Sequence, residues 1–194
     1  MTEYEKMCRG EWYNAGGDPE LLALRLAAEE LCFQLEHTPP GDGAAREAIL
    51  VRLLPGRGPG VTVLSPFWTD YGVHCTIGEG TFLNHGVYLM DCAPITIGRQ
   101  CQIGPHCGLY TAVHPMLPEE RATGIERALP ITLGDRVWLG GQVVVLPGVT
   151  IGEGAVIGAG SVVTRDIPPH VAAAGNPCRV LRPITEQDRV LLEK

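Results

Sequence analysis

His114 stands in the segment Thr111-Ala112-Val113-His114-Pro115. An imidazole titrates near neutral pH and is suited to take a proton from an alcohol or sugar hydroxyl. Pro115 holds the residue before it extended, which limits where that ring can go. Asn84 follows the aliphatic Leu83 in a slot that the chain more often gives to glycine. Its side chain can orient a hydroxyl or a histidine, and asparagine also serves as a plain turn-former. Asp70 and Asp91 flank the same stretch and can accept hydrogen bonds from sugar hydroxyls; solvated turn carboxylates account for them equally well. Arg165, Arg179 and Arg182 gather near the end of the chain, either as a phosphate-binding patch or as a solvated basic tail. Trp138, next to Leu139, offers an indole that can cover part of a cofactor.

The elements that must hold these residues are written in a period of six. Leu133, Leu139, Val145, Ile151, Ile157 and Val163 recur without a slip. Four residues after the first five of them stand Val137, Val143, Val149, Ala155 and Ser161, all small or β-branched. Earlier, Tyr71, Ile77, Leu83 and Leu89 are six apart, and Ile97, Ile103 and Leu109 resume after a small insertion at Asp91-Cys92-Ala93-Pro94. A period of six fits neither a helix face nor simple strand alternation. It specifies a short strand, a turn and a repeat, three hexads to a triangular coil, stacked as a left-handed parallel β-helix. Each inward aliphatic contributes ~1.5–3 kcal/mol of burial. Cys75, Cys101 and Cys107 fall at the small inward position of the hexad and read as core.

Residues 115–130 carry no aliphatic where one is due, since Pro115, Arg121 and Arg127 occupy those slots. Leu109 and Leu133 are still separated by a multiple of six, so this segment is expected to leave the helix as an extruded loop. Interruptions of a regular solenoid are where function is expected. Residues 1–56 read as a helical cap over the first coil, with Asp18-Pro19 as a start signal and Leu21, Leu24, Ala28, Leu31 and Leu35 at helical spacing. A second amphipathic stretch runs from Ala44 to Leu54. The body occupies 57–184, with Ile167-Pro168-Pro169 ending the helical run. Thr185-Glu186-Gln187-Asp188 then caps a short helix in a tail at 185–194.

The net charge of −7 argues against general nucleic-acid binding. No stretch is long and apolar enough for a membrane span, and the charged, aromatic start lacks the apolar centre of a signal peptide. Seven scattered cysteines without metal-type spacing point to reduced thiols in the cytoplasm and to no metal site.

Together these residues make the chain similar to the maltose and galactoside acetyltransferases of the hexapeptide-repeat family. The resemblance runs over Gly10-Glu11-Trp12-Tyr13-Asn14, Asp18-Pro19-Glu20-Leu21, Pro66-Phe67-Trp68-Thr69-Asp70-Tyr71-Gly72 and the His114-Pro115 segment. It continues through Val137-Trp138-Leu139-Gly140-Gly141, Pro147-Gly148-Val149-Thr150-Ile151-Gly152, Gly158-Ala159-Gly160-Ser161 and Ala174-Gly175-Asn176-Pro177. The resemblance implies an O-acetyltransferase acting on a sugar or similar small hydroxylated acceptor. It implies a homotrimer with acetyl-CoA lying between subunits, and direct transfer without an acyl-enzyme. His114 is then the general base, Asn84 positions the acceptor, and Glu126 orients the histidine. Asn14, Asp70, Asp91 and Cys92 are the implied acceptor contacts. Gly141 offers a backbone amide where charge develops on the thioester. Ala159, Thr164, Arg165, Arg179 and Arg182 match positions that hold the pantetheine arm and phosphates, with Trp138 beside them.

Three positions depart from the pattern. Asn14 stands where members often carry aspartate, Asp70 replaces a serine of the galactoside enzymes, and Cys92 sits where those have an acid. These departures bear on the acceptor and leave the chemistry alone. Two other functions share this architecture: a non-catalytic hexapeptide scaffold, and a γ-type carbonic anhydrase. The second needs closely placed histidine ligands on adjacent coils, and the helical leader has no place in it.

Overall fold

The structure, a computed structural model, describes residues 1–190. Its body is a parallel β-helix with three faces. The first face stacks Gly56–Arg57, Cys75–Ile77, Ile95–Ile97, Ile131–Leu133 and Thr150–Ile151. The second runs from Thr62–Val63 through Phe82–Leu83, Gln102–Ile103, Trp138–Leu139 and Val156–Ile157. The third stacks Phe67–Thr69, Val87–Met90, Gly108–Tyr110, Val144–Val145 and Val162–Val163. Within each face the slot aliphatics sit directly over one another, as in Leu83, Ile103, Leu139 and Ile157. All four are buried. Cys75, Cys101 and Cys107 are buried in the same core.

The register differs from the sequence reading at its start. Thr69, not Tyr71, pairs with Leu89 on the third face. The corner after the first coil therefore holds two extra residues, just as the corner at 91–94 does, and Tyr71 leaves the stack. It joins a second apolar cluster with Met7, Tyr13, Leu21, Cys92 and Ala128. Gly72 makes this corner possible: its φ is +75°, and a side chain there would run into the Leu53 carbonyl. At the far end the helical run does not stop at Pro168-Pro169. Ile167 bridges to Ile151, and Val171–Ala174 adds a further strand on the second face. Arg179–Pro183 folds back antiparallel on it and closes the edge.

The three faces differ outside. The outward row of the first face is Thr76, Thr96, Thr132 and Thr150, all exposed. The third face instead presents Trp68, Tyr88, Gly108, Val144 and Val162. The second presents Phe82, Gln102, Trp138 and Val156.

The leader is not one continuous helical cap. It consists of α1 (Glu3–Cys8), a strand at Tyr13–Asn14, α2 (Pro19–His37) and α3 (Gly43–Leu53). Asp18 caps α2 by accepting from the Leu21 amide, with Pro19 at the first helical position. The buried stripe of α2 is Leu21, Ala28, Cys32 and Leu35, while Leu24 faces outward. Leu50, Leu53 and Leu54 complete the cover over the first coil. Thr185 caps a short 3-10 turn at Glu186–Asp188. The remainder of the expected tail, 191–194, lies outside the described residues.

Candidate active site

The expected loop leaves the third face after Tyr110 and returns at Ile131. It folds as a strand at Ala112–Val113, a single helical turn α4 (Pro118–Arg121) and a strand at Ile125–Ala128. Ala112–Val113 pairs antiparallel with Ala128 and Arg127. The leader adds the third strand, with Tyr13 opposite Glu126 and Asn14 opposite Ile125. Arg127 lies over the Trp12 ring, 5.5 Å from its centroid. The leader is thus built into the loop that carries His114.

His114 is half-exposed at the edge of this sheet. Its Nδ1 lies 3.4 Å from the Ile125 carbonyl. A carbonyl only accepts, so this contact favours the tautomer with the proton on Nδ1 and Nε2 bare. Glu126 Oε2 is 3.7 Å from Nε2, beyond hydrogen-bond range. The ring thus stands between the Ile125 carbonyl on its Nδ1 side and the Glu126 carboxylate on its Nε2 side. Glu126 itself is buried and accepts from the Tyr13 hydroxyl.

The corner between the third and first faces holds the acidic candidates. Asp91 is wholly buried. It accepts from Thr69 Oγ1 at 2.8 Å, the Tyr71 amide at 2.8 Å and the His74 amide at 3.2 Å. His74 is held in turn, with Nδ1 2.7 Å from the Asp91 carbonyl and Nε2 3.2 Å from Tyr4 Oη. Asp91 is thus a staple across the corner, and we assign it no acceptor contact. Cys92 is buried too, and its thiol donates to Asp70 Oδ2 at 3.4 Å. Burial, then the Asp70 charge, push the Cys92 thiol far up, so it stays a donor. Asp70 also accepts from the Tyr88 hydroxyl. Burial raises the Asp70 carboxyl above its usual range, against the pull of those two bonds.

Asp70 opens on a cavity of about 550 Å³, lined with Arg25, Glu29, Trp68, Thr69 and Tyr88. Arg25, Trp68 and Tyr88 are site candidates that the sequence marks weakly or not at all. Trp68 and Tyr88 carry a faint mark, as aromatics one position out of phase with the inward slots. Arg25 carries none, being one charge on a mostly apolar helix. Asn14 lies outside this cavity lining, and its Oδ1 accepts from the Gly17 amide at 3.0 Å.

The other corner, between the second and third faces, holds a different group. Asn84 stacks beneath Gly104 and Gly140, and Gly141 beneath Ala159. Asn84, Gln102, Gly104, Pro105, Trp138, Gly140 and Gly141 line a groove of about 270 Å³. Trp138 is 55% exposed there. Asn84 Oδ1 accepts from the His85 amide at 2.8 Å, which leaves its Nδ2 donors for the groove. Side chains at Gly104 or Gly140 would collide with the next coil's backbone, so the groove floor is bare peptide. Thr164 and Arg165 are exposed but follow the third face, one corner away from Ala159. Arg179 is exposed, whereas Arg182 is engaged by Asp188 through bonds of 2.9 and 2.7 Å. Within one protomer, then, His114, Glu126 and Asp70 lie along one corner, and Asn84, Gly141 and Ala159 along another.

The comparisons with known proteins agree with this architecture. Residues 6–58 match the maltose acetyltransferase hexapeptide capping motif. Residues 130–165 match the bacterial transferase hexapeptide, six repeats. A solved maltose O-acetyltransferase from Clostridium difficile 630 is 41% identical, with a TM-score of 0.92, covering 96% of this chain and 99% of its own. The chain belongs to the hexapeptide-repeat acetyltransferases. Two further solved members are similar over nearly their full length. A galactoside acetyltransferase in complex with coenzyme A is 36% identical, covering 100% of this chain and 96% of its own, with a TM-score of 0.93. A hexapeptide-repeat acetyltransferase from Vibrio cholerae O1 biovar eltor, complexed with acetyl-coenzyme A, is 38% identical, covering 96% and 100%, with a TM-score of 0.87. Among the described residues of this acetyltransferase, no three His, Cys, Asp or Glu side chains cluster as a metal site. No helix among them is long and apolar enough to cross a membrane.

Proposed function

We propose that this chain transfers the acetyl group of acetyl-CoA to a hydroxyl of a sugar or similar polyol, in sites shared between neighbouring copies of a homotrimer. The observation that carries this reading is His114: a half-exposed ring at the root of the loop that interrupts the coil, with Nδ1 toward a backbone carbonyl and a buried carboxylate beside Nε2. That is the arrangement of a general base. The acceptor hydroxyl gives its proton to Nε2 as its oxygen attacks the thioester carbonyl. The carbon–sulfur bond then breaks, and the departing thiolate takes the proton back from the imidazolium. Glu126 favours the imidazolium while it lasts.

Acetyl-CoA suits the groove beside Trp138. Its floor is bare backbone, the indole can lie over the pantetheine arm, and the Gly141 amide can donate to the thioester oxygen. Ala159 continues this line, Thr164 and Arg165 are exposed for phosphates, and Arg179 is exposed while donating to the Cys178 carbonyl. Arg182 must first leave Asp188. The acceptor suits the cavity of Arg25, Asp70 and Tyr88, where a carboxylate, a guanidinium and an aromatic face are what a sugar ring asks for. The two sets lie on different corners of one protomer, which supports a site completed by a second copy. The outer row of the third face, with Trp68, Tyr88, Val144 and Val162, against the threonine row of the first, supports the same assembly.

Two measurements test this. Thiol release from acetyl-CoA across a panel of sugars and polyols should identify at least one acceptor; release no faster than hydrolysis with every one of them would count against the reading. Mixing subunits tests the sharing. His114→Ala and Asn84→Ala proteins, each impaired alone, should regain about a quarter of the native sites when reassembled together at equal amounts. No gain in a mixed trimer would place both groups of each site on one chain.

A further inference from the structure

We infer that Tyr13 is a positioning residue which sets the tautomer of His114 by holding the Glu126 carboxylate away from it. This deepens the proposed function and rests on His114 as the base. A carboxylate beside a neutral histidine ordinarily draws a ring N–H toward itself. If Glu126 did so, Nε2 would carry the proton and could not accept one from a hydroxyl. The structure shows what prevents this. Tyr13 and Glu126 are both buried, at 1% and 6% exposure, and the phenol donates to Oε1. The remaining oxygen, Oε2, stands 3.7 Å from Nε2, near enough to act through its charge and too far to bind a proton there. His114 Nδ1 meanwhile donates to Ile125, the residue next to Glu126 on the same strand. The strand pairing of Tyr13 with Glu126 fixes the phenol opposite the carboxylate. Burial first, with the bond to the Glu126 carboxylate, also pushes the Tyr13 hydroxyl far up, so it remains a donor throughout the working pH range.

Tyr13 therefore touches neither acceptor nor cofactor, and acts through Glu126. The test uses the full chain with ¹⁵N-labelled histidine, where the ring nitrogen shifts report which nitrogen carries the proton. His114 is assigned by its absence in His114→Ala. The native protein should show mainly the Nδ1–H form. In Tyr13→Phe the freed carboxylate should move a large part of the population, a third or more, to Nε2–H. Turnover should fall by about 10-fold with the KM for acetyl-CoA within about twofold, because only the proton-accepting step is touched. An unchanged tautomer ratio in a folded Tyr13→Phe protein overturns the inference, whatever happens to the rate. If that variant does not fold, 3-fluorotyrosine at position 13 keeps the shape and makes the phenol a stronger donor. It should leave the Nδ1–H form at least as populated as in the native protein, and a shift toward Nε2–H overturns the inference. The tautomer measurement needs no acceptor. Full acetyl transfer by His114→Ala would remove the proposed base, whereas a native tautomer in Tyr13→Phe would remove only the role of Tyr13.

Discussion

His114→Ala is expected to lower turnover in acetyl transfer by at least ~100-fold, the usual contribution of a positioned general base. The KM for acetyl-CoA should change little, because His114 is not among the residues that line the groove beside Trp138. Thermal stability should stay close to native: the ring is half-exposed and its single bond, to the Ile125 carbonyl, is long at 3.4 Å. The check is steady-state thiol release with an acceptor identified from the panel, together with a melting curve. A variant that keeps full turnover would exclude His114 as the base. A turnover loss accompanied by an equal loss of folded protein would show only that the loop had been disturbed.

Asp91→Ala is expected to act in the opposite way, on the fold. Three donors would lose their acceptor at once: the Thr69 hydroxyl and the amides of Tyr71 and His74. Stranding buried donors that had met a charged acceptor costs about 3–5 kcal/mol. For a chain of this size that lowers the melting midpoint by roughly 6–20 °C. Asp91→Asn keeps one oxygen acceptor and should lose less than half as much. Calorimetry or a dye-based melt measures both. An Asp91→Asn protein with a native melting midpoint and a tenfold rise in acceptor KM would instead put this carboxylate in contact with the acceptor.

The hexads made most of the body legible, because inward slots admit only aliphatic or small residues and the period cannot be mistaken for another element. Legibility failed first at Tyr71. It lies six before Ile77, yet the inward residue of that coil is Thr69, whose hydroxyl is spent on Asp91. A polar residue in an inward slot hides the register, and its partner twenty-two positions on gives no local sign. The burial of Asp91 was hidden for a related reason: two of its three donors are backbone amides, which sequence does not mark. The loop was legible as an interruption at 115–130, and His114 at its root stood out by type and by the proline after it. What the loop pairs with was not legible. Tyr13 and Glu126 are 113 positions apart, and neither spacing nor composition links them.

That separation bears on the order in which the molecule can become competent. Each coil docks on the one made just before it, so the stack can grow as the chain is synthesised. The sheet around His114 cannot. Its outer strand is made early, and its middle strand is made more than a hundred residues later. The Tyr13 strand must therefore wait, tethered by α2 and α3 to a growing solenoid, until its partner emerges. Closing so long a loop adds only a logarithmic entropy cost, so the wait is thermodynamically cheap. Its effect is temporal: nascent chains that end short of Glu126 hold coils but lack the sheet that frames His114, which closes only once two distant parts of the chain have met.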